Sequence, residues 1–469
     1  DFDGLRVGQH AFFRGAVFNG PVNFSVMQVK GDFEISTIAK EGKKTESIFR
    51  GSAKFGGADI GRLFSADGAR FEGQDQKANF NGMKVGTSAW LEGAVFQGLV
   101  DFGSADIGRN FNADGVRFEN KDQEADFNSL RVGQHAFFRG AVFNGPVDFS
   151  VMQVKGDFEI STIEKEGKKT ETVFRGSADF GGADIGGQFN AEGARFENKD
   201  QEANFATLKV GQGALFSRVN FAGPVNLRFG TIQVLNLGGV IWPTQPDAID
   251  LEGLTYKVIT AGDESNSCQK LLALLGKARF HSQPYTQLET FLKQSGYPEL
   301  ANESFISRKR RELNESWSWG EPSQWPRVFL EKTLLDRGVG YGRNPERALY
   351  WSAFFILLGT IIFSRPGVLT RAEKGSVGKI RLTQAFWFSL DAYVPFISFG
   401  PDKLYQVKPD KLIPFMQFIP SKLTQSLPER LHSRLTGGKF SVQTYFYLHQ
   451  IAGYVLVTIG VAAVTGIIK

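Results

Sequence analysis

Cysteine is almost missing from this chain: Cys268 is the only one in 469 residues. A single thiol forms no intrachain disulfide and no cysteine-rich metal site, and it suits a reducing compartment. Histidine is scarce as well. The five histidines (His10, His135, His281, His432 and His449) show neither HxxxH nor HxH spacing, so a zinc site is not expected. No CxxC, no GxGxxG after a strand and no haem-type site occurs. With no catalytic constellation to stand on, the expectation is a protein that is not an enzyme and needs no cofactor. No export signal is visible at Asp1, which places the N-terminal part on the cytoplasmic side as an expectation.

What is abundant is glycine and phenylalanine, 54 and 44 residues, in a chain that is 22% charged. That combination points to repetition before it points to any chemistry. The charge is unevenly spread. Residues 1–240 carry 27 Lys/Arg against 30 Asp/Glu, so the excess of basic residues belongs to the second half. A membrane surface is its natural partner.

The repetition has two levels. Residues 2–78 recur almost unchanged at 127–203, and LRVGQHAFFRGAVFNGPV at 5–22 reappears at 130–147. Beneath that duplication lies a finer rhythm. Phe80, Val85, Leu91, Phe96, Phe102, Ile107, Ala113 and Phe118 are spaced alternately 5 and 6 apart. Neither a strand period of 2.0 nor a helix period of 3.6 produces this spacing. A coil with flat sides and one inward apolar residue per side does, with Gly and Asn turning the corners. Small residues two places earlier, such as Ala94, Ala105, Ala141 and Ala183, suit a second, narrower inward position. The segments 39–47 and 164–172 break the rhythm and are expected to leave one face as solvated loops.

AVFNGPVDF, ADFGGADIG and GARFE resemble the repeats of pentapeptide-repeat proteins across roughly residues 1–240. The resemblance implies a right-handed quadrilateral β-helix, here with about 22 residues per coil because alternate sides gain a sixth residue. Some members of that family mimic DNA. They are acidic and free-standing, whereas this solenoid is nearly neutral and precedes a hydrophobic tail, so no nucleic-acid partner is expected. A scaffold or docking surface for a partner protein is.

Residues 241–345 read as a helical connector. WPTQP at 242–246 marks the solenoid's exit, and a capped helix starts near Ser267. A pair of helices opening on Pro284 and Pro298 follows. Arg308 to Arg311 is a basic helix end suited to acidic lipid or a neighbouring subunit. Gly338 to Gly342 has the letters of a potassium filter, but it precedes the first apolar helix and is read as a glycine elbow.

Residues 346–469 are expected to be a transmembrane module. Ala348 to Phe363 is apolar, bracketed by Arg347 and Arg365, and Tyr445 to Ile468 carries no formal charge. Between them, residues 384–399 are apolar yet too short to cross, and they carry Asp391 and Pro395. Such a segment is re-entrant, interfacial or buried in protein. Span, short helix, span resembles the two-helix pore subunit of potassium-channel-type proteins, with Phe388-Ser389-Leu390 where the pore helix lies. The resemblance implies a homo-oligomer, a tetramer if channel-like. Its pore or constriction candidates are Asp391, Phe396, Ile397, Ser398, Phe399 and Gly400. Gly453 falls at the inner-helix hinge, and Gly453, Gly460, Ala463 and Gly466 offer close packing to neighbouring helices. ISFG is not a potassium filter, so ion selectivity does not carry over. The whole chain also resembles bacterial membrane-anchored pentapeptide-repeat proteins. The expected setting is therefore an inner or plasma membrane. Two readings stay open: an ion-conducting pore with a sensing solenoid, or a membrane-anchored scaffold that conducts nothing.

Overall fold

A computed structural model describes residues 1–40, 43–74, 76–262, 264–317, 323, 325–371, 380–394, 400, 404–409, 411–414 and 439–465. The chain divides into two compact units, Asp1–Ser304 and Phe305–Lys469.

The first unit is a parallel β-solenoid. Its strands are mostly two residues long, one inward apolar residue beside one outward polar residue, because a side only five or six residues wide leaves room for no more. They stack in four ladders. One runs Arg6↔Gln28, Gln28↔Asp59, Asp59↔Lys84, Lys84↔Asp106 and so on to Thr231↔Thr255. The second starts at Ala11–Phe12 and merges with the first where short strands fuse into Lys209–Leu215. The third and fourth hold nine and ten strands. Coils repeat mostly at separations of 22, 25 or 31 residues, with 24 at the last coil. The shortest matches the spacing read from the sequence, and the longer ones absorb corner insertions.

The rhythm names the core correctly: Phe80, Val85, Leu91, Phe96, Phe102, Ile107, Ala113 and Phe118 are all buried, as are Ala94, Ala105, Ala141 and Ala183. Phenylalanine abundance has a direct cause. Phe49, Phe71, Phe96, Phe118, Phe143, Phe174 and Phe196 form one stacked column, with ring centroids 4.6 to 5.3 Å apart. A second column runs through Phe55, Phe80, Phe102, Phe127, Phe149, Phe180 and Phe205. Each ring is buried by its neighbours above and below and by rings across its own coil, with no contact further along the stack, so stability is nearest-neighbour in character.

One corner of nearly every coil is closed by an Asn or Asp side chain, Lys54 standing at that position in one coil. The Asn or Asp oxygen accepts the amide two residues on, as Asn23 does from Ser25, Asp126 from Asn128, Asp148 from Ser150 and Asn204 from Ala206. The residue that follows this turn has positive φ. Glycine fills that position at Gly57, Gly82 and Gly182, but Val26, Val151 and Phe229 also adopt it.

Two expectations change. The insertions at 39–47 and 164–172 form β-hairpins, Ile38–Lys40 with Lys43–Thr45 and Ile163–Lys165 with Lys168–Thr170. In the second, Glu166 and Gly167 both have positive φ, the two-residue turn whose twist matches paired strands. The solenoid also runs past residue 240. Ile249–Asp250 and Thr255–Thr260 add a further set of stacked strands. Their inward residues are Leu251, Leu254 and Ile259 instead of phenylalanines, and the WPTQP loop hides the spacing.

Helices α1 (Glu264–Lys277) and α2 (Ser282–Gln294) then close the solenoid's end. Leu271, Leu274, Leu275, Tyr285, Leu288 and Leu292 are buried on its last coil. Glutamines satisfy backbone groups of that coil: Gln283 donates to the Leu254 carbonyl and accepts from the Gly253 amide, and Gln287 donates to the Tyr256 carbonyl. An open strand edge is thereby covered. Both helices start earlier than read from sequence. Ser267 lies inside α1, its hydroxyl accepting from the Ala261 amide at 2.7 Å, and Pro284 is the third residue of α2. Helix α3 (Pro298–Ser316) does open on its proline.

In the second unit, α4 (Trp325–Leu330) continues into a wide helical turn over Glu331–Gly338. The glycine elbow follows, with Tyr341 buried at φ +53° between Gly340 and Gly342. The basic run on α3 is neutralised in the chain: Arg310 pairs with Asp336 at 2.8 Å, Lys309 with Glu312 at 2.8 Å, and Arg311 with Glu315 at 3.7 Å. Three helices complete the unit: α5 (Glu346–Phe363), α6 (Leu382–Tyr393) and α7 (Val442–Val464).

Candidate functional site

Helices α5 and α7, of 18 and 23 residues, are long and apolar enough to cross a membrane, at about 27 and 35 Å for a 1.5 Å rise. They match the spans expected at 348–363 and 445–468, although residues 466–469 lie outside the described residues. Their outer faces are exposed and hydrophobic: Leu349, Phe354 and Leu357 on α5, and Leu448, Ile451 and Val461 on α7. A solenoid followed by two such helices fits a membrane-anchored protein.

Helix α6 is the element between them. Its 12 residues reach about 18 Å, too short to cross. It buries Ala385, Phe388, Ser389, Asp391 and Tyr393. Phe388 meets Phe363 of α5 edge-on at 5.1 Å and stacks on Phe446 of α7 at 6.0 Å. Glycine makes the approach close. A Cβ at Gly453 would collide with the Tyr393 carbonyl oxygen, and one at Gly359 would collide with the Ser389 hydroxyl.

At the centre sits a polar cluster. Ser389 and His449 are 0% and 1% exposed. The Ser389 hydroxyl donates to the Ile356 carbonyl at 2.8 Å. His449 Nε2 lies 3.0 Å from the Ser389 carbonyl oxygen and 3.2 Å from its hydroxyl oxygen. A carbonyl only accepts, so Nε2 carries the proton and donates. That leaves Nδ1 as the acceptor, with the Tyr445 hydroxyl 3.4 Å away. The Ser389–His449 distance is that of a nucleophile and its base, yet the serine proton is committed to Ile356 and the hydroxyl is enclosed. The arrangement ties α6 to both spans. Tyr393 adds a second tie, donating to Ser352 at 3.1 Å. Sequence reasoning did not assemble this cluster. Its visible signal was His449, the one histidine in an uncharged span.

The constriction candidates fare unequally. Asp391 lies on α6 and is 9% exposed. Phe396, Ile397, Ser398 and Phe399 fall outside the described residues. Gly400 has φ +90° with nothing within 4 Å of an added Cβ. Of the packing residues, Gly453 faces α6, and a Cβ on Gly460 would lie 3.2 Å from Ala348 of α5. Ala463 clusters with Val339 and Ala348, and Gly466 lies outside the described residues. Gly453, Gly460 and Ala463 therefore serve contacts within one chain.

The solenoid unit holds two further polar clusters. Asp250, Glu252 and His281 gather where α2 meets the last coil, with His281 Nε2 3.6 Å from Asp250 Oδ1 and Nδ1 3.8 Å from Glu252 Oε1. The outer oxygens face arginines: Glu252 Oε2 is 2.5 Å from Arg228 and Asp250 Oδ2 is 3.4 Å from Arg279. Two cations already balance two carboxylates, so the cluster reads as an ion network seating α2. The second is a column of acids, Asp101, Asp126, Asp148 and Asp179, in register on one ladder. Lys77 pairs with Asp101 at 2.6 Å. Burial first, and then the neighbouring acids, push the Asp126 and Glu124 carboxyls above their ordinary values. No protein-family model matches the chain, and comparison with curated proteins and with solved structures gave no match either.

Proposed function

We propose that this protein is a membrane-anchored scaffold, in which the three-helix module holds the solenoid at a membrane and the solenoid docks a partner protein. The observation that carries the reading is the sorting of polarity in α5–α7. Ser389 and His449 turn inward and satisfy one another, while apolar side chains cover the outer faces of both long helices. That is the polarity expected of a self-contained anchor in lipid. A right-handed, four-sided coil of the pentapeptide-repeat kind suits the four ladders, and its flat faces suit docking. The solenoid is placed on the cytoplasmic side, and the working form is a homo-oligomer.

The second reading is an ion-conducting pore of four subunits. One observation favours it: a helix too short to cross is wedged between two that are long enough. Asp391 and residues 396–400 would then approach the axis. Both readings meet one pair of measurements. Alkaline carbonate extraction of membranes should leave the full chain in the pellet, and release into the supernatant would end the anchor reading. Purified full chain in planar bilayers should carry no current under voltage, tension or pH steps. A unitary conductance altered by Asp391→Asn would replace the scaffold with the pore.

A further inference from the structure

Where α1 leaves the solenoid, its flank does not close on the coil beneath it. A cleft of about 250 Å³ remains between α1 and the last coils. The floor and one wall are apolar, from Leu237, Val240, Trp242 and Leu274. Trp242 is held as a fixed wall by stacking on Phe221 at 5.7 Å. The space persists because the remaining positions are small. Ala261 and Ala273 border it where larger residues would fill it, and Gly239, at φ +70°, lines it without a side chain. The opposite side of α1 differs: there Leu271, Leu275 and Leu288 pack the cap nearly solid, leaving about 20 Å³.

The rim carries charge of one sign. Lys270 and Lys277 both line the cleft, two turns apart on α1. Among the described residues no carboxylate lines it, and neither lysine makes an ion pair. An apolar trough with cations only at its mouth is complementary to an anion that has an apolar body. A purely apolar ligand would leave the lysines unused, and a small inorganic anion would leave the trough wet.

We propose that this cleft binds a free fatty-acid-type monocarboxylate, its chain lying on Trp242 and Leu274 and its carboxylate meeting Lys270 or Lys277. The site is independent of whether the helical module anchors or conducts. Its volume admits a medium-length chain and excludes a two-chain lipid.

The full chain in lipid nanodiscs, photolabelled with a diazirine-bearing octanoate and mapped by mass spectrometry, tests this. Label should fall on peptides spanning 237–242 and 270–277, and free octanoate should displace it while octanol does not. Lys270→Gln with Lys277→Gln should weaken the octanoate competition about fivefold, the upper range for an exposed ion pair. Ala273→Phe should abolish labelling by filling the trough, with the melting temperature of each variant confirming the fold. Label confined to other peptides, equal displacement by octanol, or unchanged affinity in the double lysine variant would each overturn the proposal.

Discussion

Because each ring in the solenoid is buried only within its own and adjacent coils, the same substitution should cost very different amounts at equivalent places in the duplication. Phe127 and Phe2 occupy such places. Phe127 is fully buried, stacked on Phe102 at 5.4 Å and Phe149 at 5.1 Å, and meets Phe111, Phe118 and Phe138 edge-on. Phe2 is half-buried and stacks only on Phe24, at 4.8 Å, with an edge contact to Phe13. Truncating a buried phenylalanine to alanine costs about 3–5 kcal/mol through lost transfer and the cavity left behind. Phe127→Ala belongs at the top of that range, since two stacked neighbours lose their partner as well. Phe2→Ala loses about half the buried area and opens no closed cavity, so about 1–2 kcal/mol is expected. The fragment 1–304, one compact unit, is the material for urea unfolding followed by far-ultraviolet circular dichroism. Phe127→Ala should lower the midpoint markedly and separate the transition into two, as coils on either side uncouple. Equal shifts for the two variants, or none for Phe127→Ala, would refute the stacked-column account of the core.

Three further outcomes are expected. Val151 is β-branched, 52% exposed and held at φ +55°, so Val151→Gly should raise the stability of the same fragment by about 1 kcal/mol; a lower melting temperature would contradict the strain argument. Gly453→Ala pushes a methyl into the Tyr393 carbonyl and should destabilise the helical module by about 1–3 kcal/mol, read as a lower melting temperature of the full chain in detergent, whereas Gly276→Ala, with open space around it, should not. The Asp126 carboxyl is raised from an ordinary 3.8 by burial and by Asp101 and Asp148, so the folded state holds that proton more tightly than the unfolded one. Its contribution is present below pH 3.8 and lost as the pH climbs through the raised value; Asp126→Asn should flatten that fall in the urea midpoint, and an unaltered pH profile would show the acid column to be inert.

Much of the solenoid was legible in advance because its determinants are local. A residue five or six positions from the last inward one must itself point inward, and Phe80 through Phe118 did so without exception. The hairpin at 163–170 was less legible, since a charged segment with Glu166-Gly167 at its tip reads equally as a loop until its strands find each other. The solenoid's end was misplaced for a related reason: leucine replaces phenylalanine in the last coil, and the long strand Thr255–Thr260 obeys no five-and-six spacing.

The sequence by itself determined that a repeating coil precedes two apolar helices, because side width and span length are counted in consecutive residues. The tertiary structure alone decided what α6 does. Its ties reach Ile356 and His449, 33 and 60 residues away, and no periodicity reports a hydrogen bond at that range. It alone decided that Gly453 and Gly460 serve neighbours within the chain, since a small residue looks the same whichever helix it admits. The cleft beside α1 belongs to this second class too. An empty space is made by residues from three separate segments stopping short of one another, and only their assembled positions reveal it.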